Sequence, residues 1–266
     1  MALATLYKGV TFTKTIGRIP VFPYSLFDTY NGALFDISDI TTLFQDLSGL
    51  VPVSASGQTV ALVKDKSGLG HHLTQSDAAK RPVYNSAGYL VFDGTRGLDF
   101  TGSALSIFSN ISYALACIPT SITASNYKTL FRFATPGEAQ AFFRFGTGAT
   151  ANIMNLYAAQ ENATTTGTLP SITITAGNHL LTGIAKYVAG TSSTRKDGVD
   201  VGAGTLTATT KTNPAPAPTA NVGYHTGANN ITMNWYGAMF LGGDTDPTAQ
   251  VSAIESYMAA IGGIAL

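Results

Sequence analysis

The sequence predicts an all-β protein of the sandwich or jelly-roll type, with an N-terminal extension and a short C-terminal helix. Eight short runs alternate in polarity or are rich in β-branched and aromatic residues, and Gly, Asn, Pro and Thr separate them. Only two segments have convincing helical signals, and they flank this strand-rich region. At 266 residues the chain is long enough to bury a full core as one main domain.

The predicted strands lie between residues 88 and 243, in the runs "GYLVFDG", "SIFSNISYALACI", "YKTLFRFAT", "QAFFRFGTG", "NIMNLYAAQ", "PSITITAG", "HLLTGIAKYV" and "NWYGAMFLGG". "RKDGVDVG" predicts a hairpin, because Asp197 and Gly198 suit a type I′ turn. "TNPAPAPTAN" predicts a stiff, exposed connector. The single cysteine, Cys117, lies in an apolar run and is interpreted as a core residue.

Two short helices are predicted from capping signals. In "SDITTLFQD", Ser38 is the expected N-cap and Ile40, Leu43 and Phe44 form one apolar side. In "DTDPTAQVSAIESYMAAIGG", Asp246 is the expected N-cap, Pro247 takes the first helical position, and Gly262 with Gly263 ends the helix. The second helix has apolar residues at helical spacing, so we expect one face to pack on a core: Val251, Ile254, Tyr257, Met258 and Ile261.

Residues 1–35 differ from the rest and are predicted to form an attachment or docking segment, followed by the jelly-roll domain at 36–266. The segment contains Phe22, Tyr24, Phe27 and Tyr30, which would form a large apolar patch if they were exposed. They therefore either pack on their own domain or dock onto a neighbouring subunit, and the sequence leaves both alternatives open.

Composition excludes several functions. Fifteen basic and fifteen acidic residues cancel, and charged residues are 11% of the chain, so nucleic-acid binding is not expected. No apolar run approaches the length of a membrane span, and the N-terminal residues show no apolar core of a secretion signal. We therefore expect synthesis in the cytoplasm.

Several motifs, taken in order, resemble the concanavalin A-like, laminin-G-type jelly-roll domain of tailed-bacteriophage virion proteins. They are "DISDITTLFQDLSG", "VKDKSGLGHHLTQSDAAKRPVY", "LVFDG" and the C-terminal "NWYGAMFLGGDTDPTAQVSAIESYMAA", and together they span about residues 36 to 264. The resemblance implies a structural virion protein on the particle surface, as a tail, fibre or capsid-decoration protein assembled in the host cytoplasm. It also implies capsid or tail proteins as partners, and a homo-oligomer.

Enzymatic activity is not expected from the sequence. Hydrolases of this architecture carry closely spaced carboxylates on one strand, whereas Glu138, Glu161 and Glu255 are far apart in the sequence.

Metal sites are not favoured either, and no cofactor is expected. His71 and His72 are adjacent, so they should point to opposite faces, with one hydrogen-bonded in the turn and the other solvated. His179 and His225 are isolated. Calcium is a weaker alternative at Asp65 and Asp93, and Asp65 is better explained as a turn carboxylate that accepts backbone N–H bonds.

The alternative function is carbohydrate recognition of a host-surface glycan. Trp235 lies in a strand pattern and is interpreted as a core residue. The loop "VGYHTGANN" offers better candidates for glycan contacts in Tyr224, His225, Asn229 and Asn230.

Overall fold

The computed structural model describes most of the chain between Phe22 and its C-terminus: residues 22, 24–100, 111–118, 128–134, 142–147, 153–158, 171–175, 177–187, 189–206, 219–223, 230–243 and 245–266. The side chains of strand 111–118 are not among the described features. The connector "TNPAPAPTAN" falls largely outside these residues, and so do residues 1–21 of the predicted docking segment.

Eighteen strands are present in the described residues. They are β1 (Asn31–Asp36), β2 (Leu43–Phe44), β3 (Leu62–Val63), β4 (Leu73–Thr74), β5 (Val83–Asn85), β6 (Tyr89–Asp93), β7 (Leu98–Phe100), β8 (Ile111–Ile118), β9 (Thr129–Ala134), β10 (Phe142–Thr147), β11 (Ile153–Ala158), β12 (Ser171–Thr173), β13 (His179–Lys186), β14 (Thr191–Lys196), β15 (Val199–Thr205), β16 (Thr219–Val222), β17 (Thr232–Trp235) and β18 (Gly237–Gly243).

The described strands form three antiparallel sheets. The six-stranded sheet has the order β1-β18-β8-β13-β14-β15, and the nine-stranded sheet has the order β12-β11-β10-β9-β16-β7-β4-β3-β2. A three-stranded sheet, β17-β6-β5, lies beside them. The prediction of an all-β sandwich is therefore confirmed.

The main core lies between the two large sheets. Phe240 of the six-stranded sheet contacts Phe131 and Phe133 of the nine-stranded sheet, with ring centroids 5.2 and 5.0 Å apart. Trp235 is fully buried in this core, as its strand pattern predicts. One face of the nine-stranded sheet is therefore buried in the core. A binding site on this sheet would have to lie on its other face.

A second apolar cluster covers the opposite face of the six-stranded sheet. It joins strand residues such as Leu180 and Met239 to helix α1 (Val251–Gly262) and to the N-terminal segment. β13 and β18 are consequently buried on both faces, which explains their nearly continuous apolar sequences.

Helix α1 ends where the sequence predicts, but it begins four residues later than expected, at Val251 with Gln250 as its N-cap. The Asp246 side chain accepts a hydrogen bond from Thr248 N, and Pro247 opens a 3-10 turn that leads into the helix. Gly263 ends it in the left-handed conformation, with φ of 62°. The hairpin prediction is also confirmed, since Asp197 and Gly198 have φ of 50° and 79°.

The other helix prediction was wrong in its cap and length. Asp39, not Ser38, is the N-cap, and the helix is one 3-10 turn, Ile40–Thr42. The Ser38 hydroxyl instead donates to Asp36 Oδ1. Leu43 and Phe44 leave the turn in an extended conformation and form β2.

The described part of the N-terminal segment packs on its own chain. Phe22, Phe27 and Tyr30 are buried, and the Phe22 ring lies 4.8 Å from that of Tyr257 on α1. This arrangement is the first of the two alternatives considered for these residues. Tyr24 is 47% exposed, and docking of this side chain onto a neighbouring subunit stays a prediction.

None of the described helices has the length and apolar character needed to cross a membrane.

Candidate functional site

A continuous row of polar side chains crosses the outer face of the nine-stranded sheet. The strand register places Asp99 opposite Thr74 and Asn221, and Arg132 opposite Asn221 and Arg144. Tyr157 lies opposite Arg144. Directly opposed residues of antiparallel strands project from the same face. We call this set the polar row: Thr74, Asp99, Asn221, Arg132, Arg144 and Tyr157.

Alternation along each strand explains why the row faces away from the core. The residues next to members of the row are apolar and belong to the main core: Leu73, Leu98, Val222, Phe131, Phe133 and Leu156. Because successive strand residues point to opposite faces, a buried apolar neighbour directs each polar side chain outward. Six neighbouring strands thus each contribute one polar side chain to a single surface.

Asn221, Arg132 and Tyr157 of the row are buried, whereas its other members are more exposed. Asn221 and Arg132 are 5% and 6% exposed. Thr74 and Asp99 on one side and Arg144 on the other are half-buried. The Asn221 Oδ1 atom is buried without a hydrogen-bond partner in the described structure. A buried amide oxygen with no partner costs free energy, so this atom is suited to accept a hydrogen bond from a bound molecule.

The β10–β12 end of the row is held by side-chain contacts. The Arg144 guanidinium lies 4.2 Å from the centre of the Tyr157 ring. Asn155 Nδ2 donates to the Tyr157 hydroxyl at 3.2 Å, and the Ser171 hydroxyl donates to Asn155 Oδ1 at 2.7 Å. The ring face of Tyr157 is therefore occupied by a cation, and this end of the row presents a positive charge in a fixed position.

The predicted glycan loop starts beside the row. Tyr224, His225 and Asn229 lie outside the described residues. At the base of the loop, Gly223 N donates to Leu130 O, and Asn230 pairs with Thr129 in an isolated parallel bridge. Gly223 follows β16 directly and is two residues from Asn221.

A polar pocket of about 200 Å³, separate from the polar row, lies between α1 and strands β13–β15; we call it the helix–sheet pocket. Its lining includes Lys186, Arg195 and Asp200 with several hydroxyl groups. Arg195 donates to both Glu255 and Asp200, and Lys186 donates to Asp246. Its cations are thus already paired with carboxylates, and Glu255, which is 1% exposed, binds α1 to the sheet.

The turn after β3 is a closed hydrogen-bond network. Asp65 accepts backbone N–H bonds from Leu34, Ser67 and His71 at 2.8 to 3.0 Å, which is the turn role expected for it. The prediction that one of the two histidines is solvated was wrong, because both are half-buried and each has a hydrogen-bond partner. His71 Nε2 lies 3.0 Å from Asn31 Oδ1, and His72 Nδ1 accepts from Asp65 N. Burial lowers the pKa of His71.

Beside this turn, Lys66 joins two carboxylates. Its ammonium group lies 3.1 Å from Asp36 and 2.8 Å from Asp39. Partial burial opposes its charge, but the hydrogen bonds to these carboxylates outweigh burial and raise the pKa of Lys66. Tyr257 of α1 also donates to Asp36.

Asp93 accepts hydrogen bonds from Thr95 and Arg96. The residues that the structure describes contain no group of three His, Cys, Asp or Glu side chains arranged to hold a metal ion. The calcium alternative at Asp65 and Asp93 stays a prediction.

Comparison with known proteins finds similarity in fold but none in sequence families. No family model matches the sequence, and no curated protein matches it. Among solved structures, a GH54 α-L-arabinofuranosidase variant soaked with 4-nitrophenyl α-L-arabinofuranoside matches with a TM-score of 0.61 and 13% identity. The match covers 89% of this chain and 64% of the enzyme.

Two further structures match at similar strength. Domain 4 of AbnA, a GH43 extracellular arabinanase from Geobacillus stearothermophilus, was solved in complex with arabinotriose. It has a TM-score of 0.51 and 12% identity, over 85% of this chain and 98% of that domain. The binding domain of botulinum neurotoxin DC in complex with SialylT has a TM-score of 0.53 and 11% identity, over 89% of this chain and 52% of that one.

These likenesses establish a β-sandwich fold shared with glycan-binding and glycosidase domains. The chain spans between half and two thirds of the length of the arabinofuranosidases it matches. The expectation that the protein is not an enzyme is contradicted, because glycoside hydrolases are among these structural neighbours.

The expectation rested on carboxylates lying close together in the sequence. Antiparallel sheets also bring together side chains from strands that are far apart in the sequence, so that criterion does not exclude an enzyme. Two of the three glutamates considered, Glu138 and Glu161, lie outside the described residues. The concanavalin A-like family and the virion context stay predictions.

Sequence reasoning missed the polar row, although a signal for it was present. In "TLFRFA", "FFRFGT" and "IMNLYA" a polar residue interrupts an otherwise apolar strand. Three such interruptions in successive strands indicate one polar surface.

Proposed function

We propose that this protein is a carbohydrate-recognition domain that binds a glycan over the polar row. The observation that carries the proposal is the register of six strands, which brings amide, guanidinium, carboxylate, phenol and hydroxyl groups to one surface. Sugars are bound by such groups because their hydroxyls both donate and accept hydrogen bonds. The unpartnered oxygen of Asn221 supplies a buried acceptor at the centre of that surface.

The structural neighbours support this proposal. The arabinanase domain that this chain covers almost completely was solved with arabinotriose, and the neurotoxin domain was solved with SialylT. Two sandwiches of this general shape thus carry sugars, although at 11 to 12% identity their contacts do not transfer to this chain.

Glycan-array screening of the purified chain, followed by calorimetric titration of the best glycan, tests the proposal. Asn221→Leu and Asp99→Ala should each weaken binding about ten-fold, since each removes a hydrogen bond to the ligand. Asn234→Leu is the matched control, because Asn234 is half-buried on β17 of the three-stranded sheet. A chain that binds no glycan, or an Asn221→Leu variant that binds normally, would refute the proposal.

The same glycans should be incubated with the protein and analysed chromatographically for cleavage products. The polar row supplies one carboxylate in the described residues, Asp99, and glycoside hydrolysis uses two. Product formation would show that the second carboxylate comes from elsewhere, and Glu138 and Glu161 would be the first residues to replace.

The virion setting is a separate proposal that rests on the order of the sequence motifs. A glycan-binding domain displayed on a bacteriophage particle would contact the host surface, with other virion proteins and further copies of itself as partners. Mass spectrometry of purified particles tests this setting, and absence of the chain from particles would refute it without affecting glycan binding.

A further inference from the structure

The six-stranded sheet ends at β15, and this strand is exposed over most of its length. Among the strands that the structure describes, β15 pairs with β14 alone. Val199 and Val201 are 63% and 43% exposed, and Asp200 and Ala203 are exposed as well. In the described part of the chain, no backbone hydrogen bond joins Val199–Gly204 to a segment other than β14.

The two end strands of the nine-stranded sheet are protected, in contrast. Beside β2, Gln45 N donates to Val51 O, so the backbone of the chain itself occupies the outer edge. Beside β12, the Lys196 ammonium group donates to Thr173 O at 3.0 Å. Proteins commonly protect the edges of their sheets with such covers, or with lysine and proline on the edge strand.

The sequence of β15, "VDVGAGT", has neither lysine nor proline. Its one charged side chain, Asp200, accepts a hydrogen bond from Arg195 of β14. The register with β14 shifts beside Arg195, so Val201 has no residue directly opposite it. Such a bulge increases the twist of a strand but covers none of its outward backbone groups. The outer edge of β15 therefore offers backbone donors and acceptors to another strand.

We infer that β15 pairs with β15 of a second copy of this chain, in the antiparallel direction and with the two-fold axis at Gly202. In this register Val201 lies opposite Ala203, so apolar side chains meet. Asp200 lies opposite Gly204, so no like charges are opposed. The two Asp200 residues are based about 13 Å apart, four residues along the strand. β15 is thus self-complementary, as an interface between identical copies requires.

This pairing joins two six-stranded sheets into one continuous sheet. It uses the exposed edge of both copies, so assembly through β15 stops at a dimer. Dimerisation through β15 is independent of the proposed function, because the polar row lies on the other large sheet.

Sedimentation of the purified chain at several concentrations should show a monomer–dimer equilibrium without larger species. Val201→Lys and Ala203→Lys should each weaken dimerisation about ten-fold or more, because a lysine on an edge strand opposes pairing with another strand. Val51→Lys is the matched control and should leave the dimer unchanged, since Val51 is 48% exposed and lies beside the protected edge of β2.

Thermal unfolding of each variant identifies any that fail to fold. Amide hydrogen exchange of the unaltered chain needs no variant. The outward N–H groups of Val199–Gly204 should exchange more slowly in concentrated solution, where the dimer forms, than in dilute solution.

A chain that stays monomeric at every concentration would overturn the inference, and so would species larger than a dimer. It would also be wrong if the dimer persisted in both lysine variants and β15 gained no protection from exchange. Dissociation of that dimer by Tyr24→Ser would then assign the interface to the N-terminal segment.

Discussion

The two large sheets use polar side chains in different ways. On the face of the six-stranded sheet beneath α1, Glu255 accepts from Thr182 and Arg195, and Asp36 accepts from Lys66 and Tyr257. On the outer face of the nine-stranded sheet, polar side chains lie in a row, and the buried Asn221 oxygen has no partner in the described structure.

This difference separates structural polar groups from candidate binding groups. A paired buried group stabilises the fold, and its loss leaves another buried group unsatisfied. A buried polar group without a partner costs free energy, so its replacement by an apolar side chain should not destabilise the fold. Variants on the two sheets should therefore change different measurements.

The largest effect on stability is expected for Glu255→Ala. This change removes the buried carboxylate that accepts from Thr182 and Arg195 under α1, and breaking such a pair costs about 3 kcal/mol. Urea denaturation measures the free energy of unfolding. Ser256→Ala, on the exposed side of the same helix, is the control and should change it by less than about 0.5 kcal/mol. A loss below about 1 kcal/mol for Glu255→Ala would show that the pair is not structural.

Asp65→Ala should have the next largest effect, about 2 kcal/mol, because three backbone N–H groups lose their acceptor. Asp77→Ala is the control, since the exposed Asp77 carboxylate accepts one backbone N–H and pairs with Lys80. Its cost should stay below about 1 kcal/mol. Equal losses in the two variants would contradict the structural role of the turn.

A smaller effect is expected for Asp93→Asn, and it should depend on pH. Partial burial opposes ionisation of Asp93, but hydrogen bonds from Thr95 and Arg96 outweigh it and lower the pKa from 3.8 to about 2. A carboxylate with a lowered pKa stabilises the fold above pH 4 or so and loses this contribution as the pH falls toward 2.

Asp93 is substantially exposed, so the difference between the two chains at neutral pH should be below about 1 kcal/mol. Urea denaturation between pH 2 and pH 6 measures it, and the difference should disappear near pH 2. A constant difference across this range would show that the Asp93 charge is not responsible.

The smallest effect on stability is expected for Asn221→Leu. Leucine has no oxygen to leave unpaired, so the free energy of unfolding should stay within about 0.5 kcal/mol or rise slightly. Chemical denaturation checks this beside the binding measurement. A loss above about 2 kcal/mol would show that Asn221 has a structural partner, and the contrast between the two sheets would fail.

Local signals predicted the parts of this fold that depend on near neighbours in the sequence. Asp246 and Pro247 predicted the start of the 3-10 turn that leads into the C-terminal helix, and Gly263 predicted the end of that helix, because capping involves only residues a few positions apart. Asp197 and Gly198 predicted their hairpin for the same reason. Ser38 failed as a cap because Asp39 beside it supplied a better-placed acceptor.

The candidate site was less predictable, because strand register decides which side chains meet. Asp99 and Arg132 lie on strands that flank β16, and both are opposite Asn221 of that strand. β16 lies more than eighty residues beyond Arg132 in the sequence. The loop with Tyr224 and His225 was chosen for its composition, whereas the row depends on single polar residues in apolar strands. Only the order of the strands in the sheet shows that these residues lie on the same face.

The turn at Asp65 has a consequence for how copies of this protein meet. Among the strands that the structure describes, β1 is at the edge of the six-stranded sheet and pairs with β18 alone. On its free side, Leu34 N donates to Asp65, and Leu34 O accepts from Lys66 N at 2.8 Å. Exposed strand edges pair with one another and lead to aggregation. The turn occupies this edge with its own backbone and carboxylate, so β1 is closed to edge-to-edge polymerisation.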